Sequence, residues 1–377
     1  MTSPDSTAAD LLDATNPAVH APAAITTPWL DAVCTGGLSI VVIAGLLIYD
    51  LAMPESVPVT GVIQISIGGL VLMQTLINSP HFIASYRLLY RKRQNLKQHQ
   101  FVSIYLPIIM LTVIVACIWQ SVQWPNSIPI MLPLEQLLAP LLLAWHYTGQ
   151  AWGMTSCFAF LGGLKMTLSE RTVIRCGLRA LIAYHVLLWW NLANSALYLG
   201  LSPESAGDLM AALLTIARVV VFATFAVGLT GLRRLSQREQ KPIPLRCWMP
   251  WLATFVWYVF VDLHRGPYAF VLLQIFHALQ YLIFPLRVEL NQHHVQRRRT
   301  RTHVLLYYLV LVGVGFLAFN VPGIIESALV SPLNIAVYIS IAINVHHYFI
   351  DSVIWKIRNP EVREALFAHL EPSNQQS

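Results

Sequence analysis

Apolar runs of about 20 residues, the length that crosses ~30 Å of hydrocarbon as a helix, recur along the whole chain and are separated by short polar breaks. The pattern predicts helices near 29–52, 58–80, 101–121, 128–150, 172–200, 206–231, 247–263, 267–287, 303–320 and 331–355. The expected fold class is all-α, a polytopic helical membrane bundle of about ten transmembrane helices. No repeat of fixed period and no domain-sized linker interrupts it, so residues 29–358 read as one domain. Residues 1–28 are polar and rich in Ala, Pro and Thr, with Asp5, Asp10 and Asp13 where a signal peptide would carry Lys or Arg. They are expected to form a disordered cytoplasmic tail, and residues 359–377 a second cytoplasmic tail. The stretch 148–171 fits the pattern least well. A crossing followed by a short interfacial or re-entrant piece, Ala151 to Leu164 with Gly153, Gly162 and Gly163, preserves the alternation of sides.

Composition agrees with a bilayer environment, since 56% of residues are hydrophobic and only 11% charged, with a mean hydropathy of +0.59. A soluble domain carries about 25% charged residues. The charges that remain are placed unevenly. Arg87, Arg91, Lys92, Arg93 and Lys97 fall in one break, Lys165, Arg171 and Arg175 in another, and Arg233, Arg234, Arg238, Lys241 and Arg246 in a third. Arg297, Arg298, Arg299 and Arg301 follow, then Lys356, Arg358 and Arg363. Of the intervening loops, only the turn at 264–266 has a basic residue, Arg265. The positive-inside rule then puts both termini in the cytoplasm, as expected for an integral protein of a bacterial inner membrane. Topology and contact with anionic headgroups explain the net charge of +6, and nucleic acid is not implied. Cys34, Cys117, Cys157, Cys176 and Cys247 are odd in number and scattered, and read as small apolar core residues.

Histidine inside a span is costly without a partner, and four such segments stand out: Pro80-His81-Phe82, Trp145-His146-Tyr147, Phe276-His277-Ala278 and Val345-His346-His347-Tyr348. Counting to the next basic residue places His81, six residues before Arg87, His277, ten before Arg287, and His346-His347, ten and nine before Lys356, toward the cytoplasmic ends of their helices, and the alternation of sides places His146 there too. Imidazole is the commonest transition-metal ligand, so one buried metal centre held by His81, His146, His277 and His346 or His347 is expected. Tyr281 and Asp351 lie one turn beyond His277 and His347. Successive helical residues point about 100° apart, so His346 and His347 cannot both face one compact site. Asp351 shares the face of His347, which favours His347 as the ligand, with Asp351 orienting it from outside. His185, beside Trp189 and Trp190, reads as a fifth ligand or a packing residue. The remaining histidines, including His99, His264, His303 and His369, fall in loops or tails.

The order Pro80-His81, then His146-Tyr147-Thr148-Gly149, then His277 with Tyr281, then His346-His347 with Ile350-Asp351 resembles the bacteriorhodopsin-related Brp/Blh membrane β-carotene dioxygenases. Phe82 stands where that family has glycine, and Tyr281 where it has a histidine. The resemblance implies Fe(II) held by the histidines, with Tyr281 and Asp351 in the catalytic surroundings. It also implies O2 and a hydrophobic, carotenoid or lipid-like small molecule as reactants. Other readings of the same residues are a di-iron desaturase or hydroxylase, a haem protein with axial histidines, and a transport or structural membrane protein. The first normally needs clustered H-x-x-H motifs, whereas His293-His294 is an isolated pair.

Overall fold

The structure, a computed structural model, describes residues 23–53, 67–193, 200, 202–264, 267–295, 300–329, 333–357 and 359–370. Among these there are helices and no strand. The principal helices are α1 (Pro28–Ala52), α2, α3 (Arg93–Gln98), α4 (Phe101–Gln123), α5 (Met131–Leu161) and α6 (Leu168–Leu192). They continue with α7 (Pro203–Glu239), α8 (Leu245–His264), α9 (Pro267–Val295) and α10 (Thr300–Phe319, continued by Val321–Ala328). α11 (Ile335–Ile354) and α12 (Pro360–Phe367) end the series. α2 runs as Ile67–Met73, a π-turn at Gln74–Asn78, and Ser79–Tyr90.

Seven of the described helices are long and apolar enough to cross a membrane: α1, α4, α6, α7, α9, α10 and α11. Their outer faces are apolar, as hydrocarbon requires and water would not tolerate. Ile108, Leu111 and Val115 on α4, Ile216, Val219 and Phe222 on α7, and Leu305, Leu309 and Leu317 on α10 are all exposed. α8 is built the other way. Its Trp251, Trp257, Tyr258 and Phe260 are buried, and each polar tip finds a partner on a neighbouring helix. Trp251 Nε1 donates to the Ile174 carbonyl and Trp257 Nε1 to Ser39 Oγ.

The residues that shape α2 do so through proline. Pro80 has no N–H, so the Leu76 carbonyl four residues earlier loses its helical donor. The turn widens into the π-turn just ahead of it, and the Tyr308 hydroxyl of α10 donates to Leu76 O at 2.5 Å. Gly315 allows α10 this close, since a Cβ there would lie 2.8 Å from Ser79 Cβ.

Three expectations change. Residues 148–161 continue α5 without a break, so the re-entrant piece from Ala151 to Leu164 does not form. Gly149 and Gly153 stay helical, and the helix ends only at the Gly162-Gly163 pair. There Gly163 takes φ +67°, the Leu164 N–H reaches Ala159 O at 2.8 Å and the Gly163 N–H reaches Phe160 O at 3.0 Å, a Schellman stop. Of the expected N-terminal tail, residues 1–22 lie outside the described residues, but residues 23–27 are packed. Ile25 is fully buried, and Asp31 accepts from Ile25 N, Thr26 N and Thr26 Oγ1. The segment after 359 is also docked, because Asn291 Nδ2 donates to the carbonyls of Ala365 and Leu366 and the His369 ring bonds Ala24 O. Residues 23–27 and α12 therefore both pack against α9, the former through Arg287 Nε, which donates to the Ile25 carbonyl.

Candidate metal centre

α2, α5, α9 and α11 each bring one imidazole to a common point. His81, His146, His277 and His347 are all buried, and their ligand nitrogens lie within 4.8 Å of one another. The nitrogens that meet are Nε2. Those of His81 and His347 are 3.0 Å apart, and those of His146 and His277 are 2.8 Å apart. Two imidazoles at about 2.0–2.1 Å from one ion stand about 3.0 Å apart at right angles and about 3.4 Å apart in a tetrahedron. The two close pairs match that spacing, and the four buried imidazoles could hold one transition-metal ion. Protons on one Nε2 of each pair make two N–H···N bonds, whereas moving every proton to Nδ1 turns four lone pairs on one point.

The four helices run in the same direction, because their contacts repeat in the same order along each. Three residues before the histidines stand Asn78, Gln274 and Asn344, and four residues after them stand Ser85, Gln150, Tyr281 and Asp351. The later layer is a hydrogen-bonded chain. Trp355 Nε1 donates to the Tyr281 hydroxyl at 2.9 Å, which meets Ser85 Oγ at 2.5 Å, and Ser85 donates to Asp351 Oδ1 at 2.8 Å. Gln150 Nε2 donates to the His277 carbonyl. Aromatic rings close the sides: Tyr348 on His146, Tyr147 on His277 and Phe82 on His347.

His346 belongs elsewhere. Its Nδ1 meets the Tyr86 hydroxyl at 2.9 Å and its Nε2 meets the Val102 carbonyl at 2.7 Å, so of the two candidates on α11 the ligand position falls to His347. The 100° step of the helix separates them, as expected. Asp351 departs from the role expected of it. It does not sit behind His347 at Nδ1. Its Oδ2 lies 3.4 Å from His347 Nε2 and 3.9 Å from His146 Nε2, on the converging side. Among the described residues, His81 has an outer partner for its ring, Nδ1 to Asn78 O at 2.6 Å. The Nδ1 atoms of His277 and His347 are buried with no hydrogen-bond partner among the described residues.

His185 is a packing residue, with Nδ1 bonded to the Tyr258 hydroxyl and its ring among Trp189 and Phe270. All five cysteines are free. Tyr281 is where the sequence placed it, its ring edge-on to His81. Ser85 was not singled out from the sequence, although its position four residues after His81 carries the same signal as Tyr281 and Asp351.

A cavity of about 260 Å³ opens beside the centre. His146, Tyr281 and Asp351 form its inner end, and Gly149, Gly153, Phe284 and Trp355 its walls. The two glycines face open space, with nothing within 4 Å of where a Cβ would be. The bare α5 backbone there leaves room for a ligand to lie against the helix. No protein-family model, no curated protein and no solved structure matches this chain.

Proposed function

We propose that this chain is a membrane-embedded oxidoreductase in which His81, His146, His277 and His347 hold one Fe(II) ion, and that it oxidises a hydrophobic, carotenoid-like or lipid-like substrate with O2. The observation that carries the reading is the convergence of four buried Nε2 atoms within 4.8 Å, open on one side to a largely apolar cavity. An ion held by these imidazoles would, when bound, supply the redox chemistry for O2 beside an alkene or acyl chain in the cavity. Cleavage of an alkene by O2 into two carbonyl compounds takes up both oxygen atoms and needs no external reductant.

The protein's own residues have separate tasks in this reading. Asp351 presents Oδ2 as a fifth donor, held in place through Oδ1 by Ser85 and Tyr281. Phe82, Tyr147 and Tyr348 pack against the imidazoles and fix their ring orientations. Gly149 and Gly153 let the substrate approach. A haem needs clear space around its two axial nitrogens, and here the other pair of histidines fills that space, so a single ion is the better fit.

The proposed setting is an inner membrane crossed ten times, with both termini cytoplasmic and with α2, α5 and α8 crossing beside the seven most apolar helices. Cysteine labelling near Ser202 and near Arg299 should then report opposite sides, and labelling from one side would refute the topology. The chemistry is tested by metal analysis of the purified protein and by the nitric-oxide complex of the Fe(II) form in electron paramagnetic resonance. One iron per chain, lost in His347→Ala, is expected. A protein that holds no metal, or holds it after His347→Ala, would overturn the proposal.

A further inference from the structure

The layer before the histidines is polar as well, and it faces away from the apolar cavity. Gln74 Nε2 donates to Gln274 Oε1 at 3.0 Å, and Asn78 Nδ2 to Gln74 Oε1 at 2.5 Å. These amides, with Asn344, line a cavity of about 430 Å³. Gln274, Ser340 and Asn344 also line a neighbouring cavity of about 200 Å³ that reaches Glu135. Glu135 and Ser340 in turn line a third of about 500 Å³, beside the exposed Val337. Each cavity shares wall residues with the next, so the three adjoin in one row. The row ends about 4.5 Å of helix rise from the histidine layer, because Asn78, Gln274 and Asn344 each precede their histidine by three residues.

Amides and a carboxylate inside a bundle are tolerated where they line water. Pro140 lines the middle cavity and withholds the N–H that the Gln136 carbonyl would accept, which adds a polar group at the level of Glu135. Among the described residues, the row is lined by no Lys or Arg, and Glu135 is its one charged side chain. That balance favours water and hydrated cations over anions. A buried metal centre needs such access, and an apolar cavity cannot provide it, because stripping a cation of water there is prohibitive. Resting on the proposed metal centre, we infer that a passage along this row, from Glu135 past Ser340 and Asn344 to Gln274 and Asn78, is the route by which a hydrated divalent cation enters the four-histidine site.

The test follows Co(II) loading of the full chain, in detergent and after chelation, by the visible absorption of the imidazole-bound ion. Ser340→Phe should slow loading by about tenfold or more and leave the final stoichiometry and spectrum unchanged. Glu135→Gln should slow it as well and weaken its dependence on ionic strength. Gly153→Phe, which fills the apolar cavity instead, should load at the unsubstituted rate. To separate plugging from misfolding, Ser340→Cys is placed in a chain whose five native cysteines are Ala. A water-soluble methanethiosulfonate then adds the plug after folding, and that reaction itself reports water in the passage. Loading of Ser340→Phe at full speed, slowing by Gly153→Phe instead, or an unreactive Ser340→Cys would each overturn the route alone. Failure of the unsubstituted protein to take up Co(II) while Ser340→Cys still reacts would overturn the metal centre and, with it, the cation route.

Discussion

Replacing Asp351 by Asn isolates what its carboxylate contributes. The side chains are nearly isosteric, and Asn can keep an oxygen at the Oδ1 position, where Ser85 donates at 2.8 Å and Tyr281 at 3.2 Å. What changes is the atom 3.4 Å from His347 Nε2: an anionic oxygen becomes an N–H donor that repels a cation and offers no lone pair. Loss of a carboxylate that supports a metal site costs about 10- to 100-fold in affinity, or about 1.4–2.7 kcal/mol. Anaerobic titration with Fe(II) or Co(II) against a competing chelator measures that loss. The melting temperature of the chelated protein should stay the same, because the hydrogen-bonded chain to Trp355 survives. Ser85→Ala, which removes one of the two donors to Oδ1, should weaken binding less, by under about tenfold. Unchanged metal affinity in Asp351→Asn would refute the placement of Oδ2 at the ion, and a large drop in melting temperature would show that the group is structural.

The neighbouring histidines should separate cleanly: His347→Ala should abolish metal binding. His346→Ala should retain one metal per chain and lose about 1–3 kcal/mol of stability, from the unpaired Tyr86 hydroxyl and Val102 carbonyl, which thermal melts would show. Gly315→Leu forces a side chain into a site where a Cβ alone lies 2.8 Å from Ser79. It should cost about 1–3 kcal/mol and loosen the metal by displacing α2, as a combined melt and titration would detect. Asp31→Asn leaves buried Arg246, 3.8 Å away, without its counter-charge. It should destabilise by about 3–5 kcal/mol, with metal stoichiometry unchanged in the fraction that folds.

The helical class and the site's four imidazoles were legible because hydrocarbon imposes strong rules. A run of about 20 apolar residues matches the thickness of a bilayer and little else in a protein, and a histidine within one must be partnered. Depth counted from Arg87 and Arg287 put His81 and His277 in one layer, and the 100° step left room for one of His346 and His347, with His347 favoured by the face it shares with Asp351. Other features depended on tertiary contacts that no local pattern encodes. Gly153, Gly162 and Gly163 together read as a short re-entrant piece, yet Gly153 borders a cavity inside an unbroken helix and only Gly162-Gly163 ends it. Asp351 has two oxygens, and which one faces the imidazoles was decided by Ser85 and Tyr281 from other helices. The packing of Ile25 and of α12 depended on α9, far away in sequence.

The four ligands come from positions 81, 146, 277 and 347, one from each of four helices, with no two of them neighbours in sequence. No fragment of the chain shorter than the span from α2 to α11 contains the centre. During synthesis the first three imidazoles therefore face an incomplete pocket until α11 arrives. A nascent or truncated chain that ends before α11 holds at most three of the imidazoles and lacks Asp351. If the proposed centre binds its ion, metal capture would be a late event in biogenesis, and a bound ion would mark a chain whose insertion has been completed.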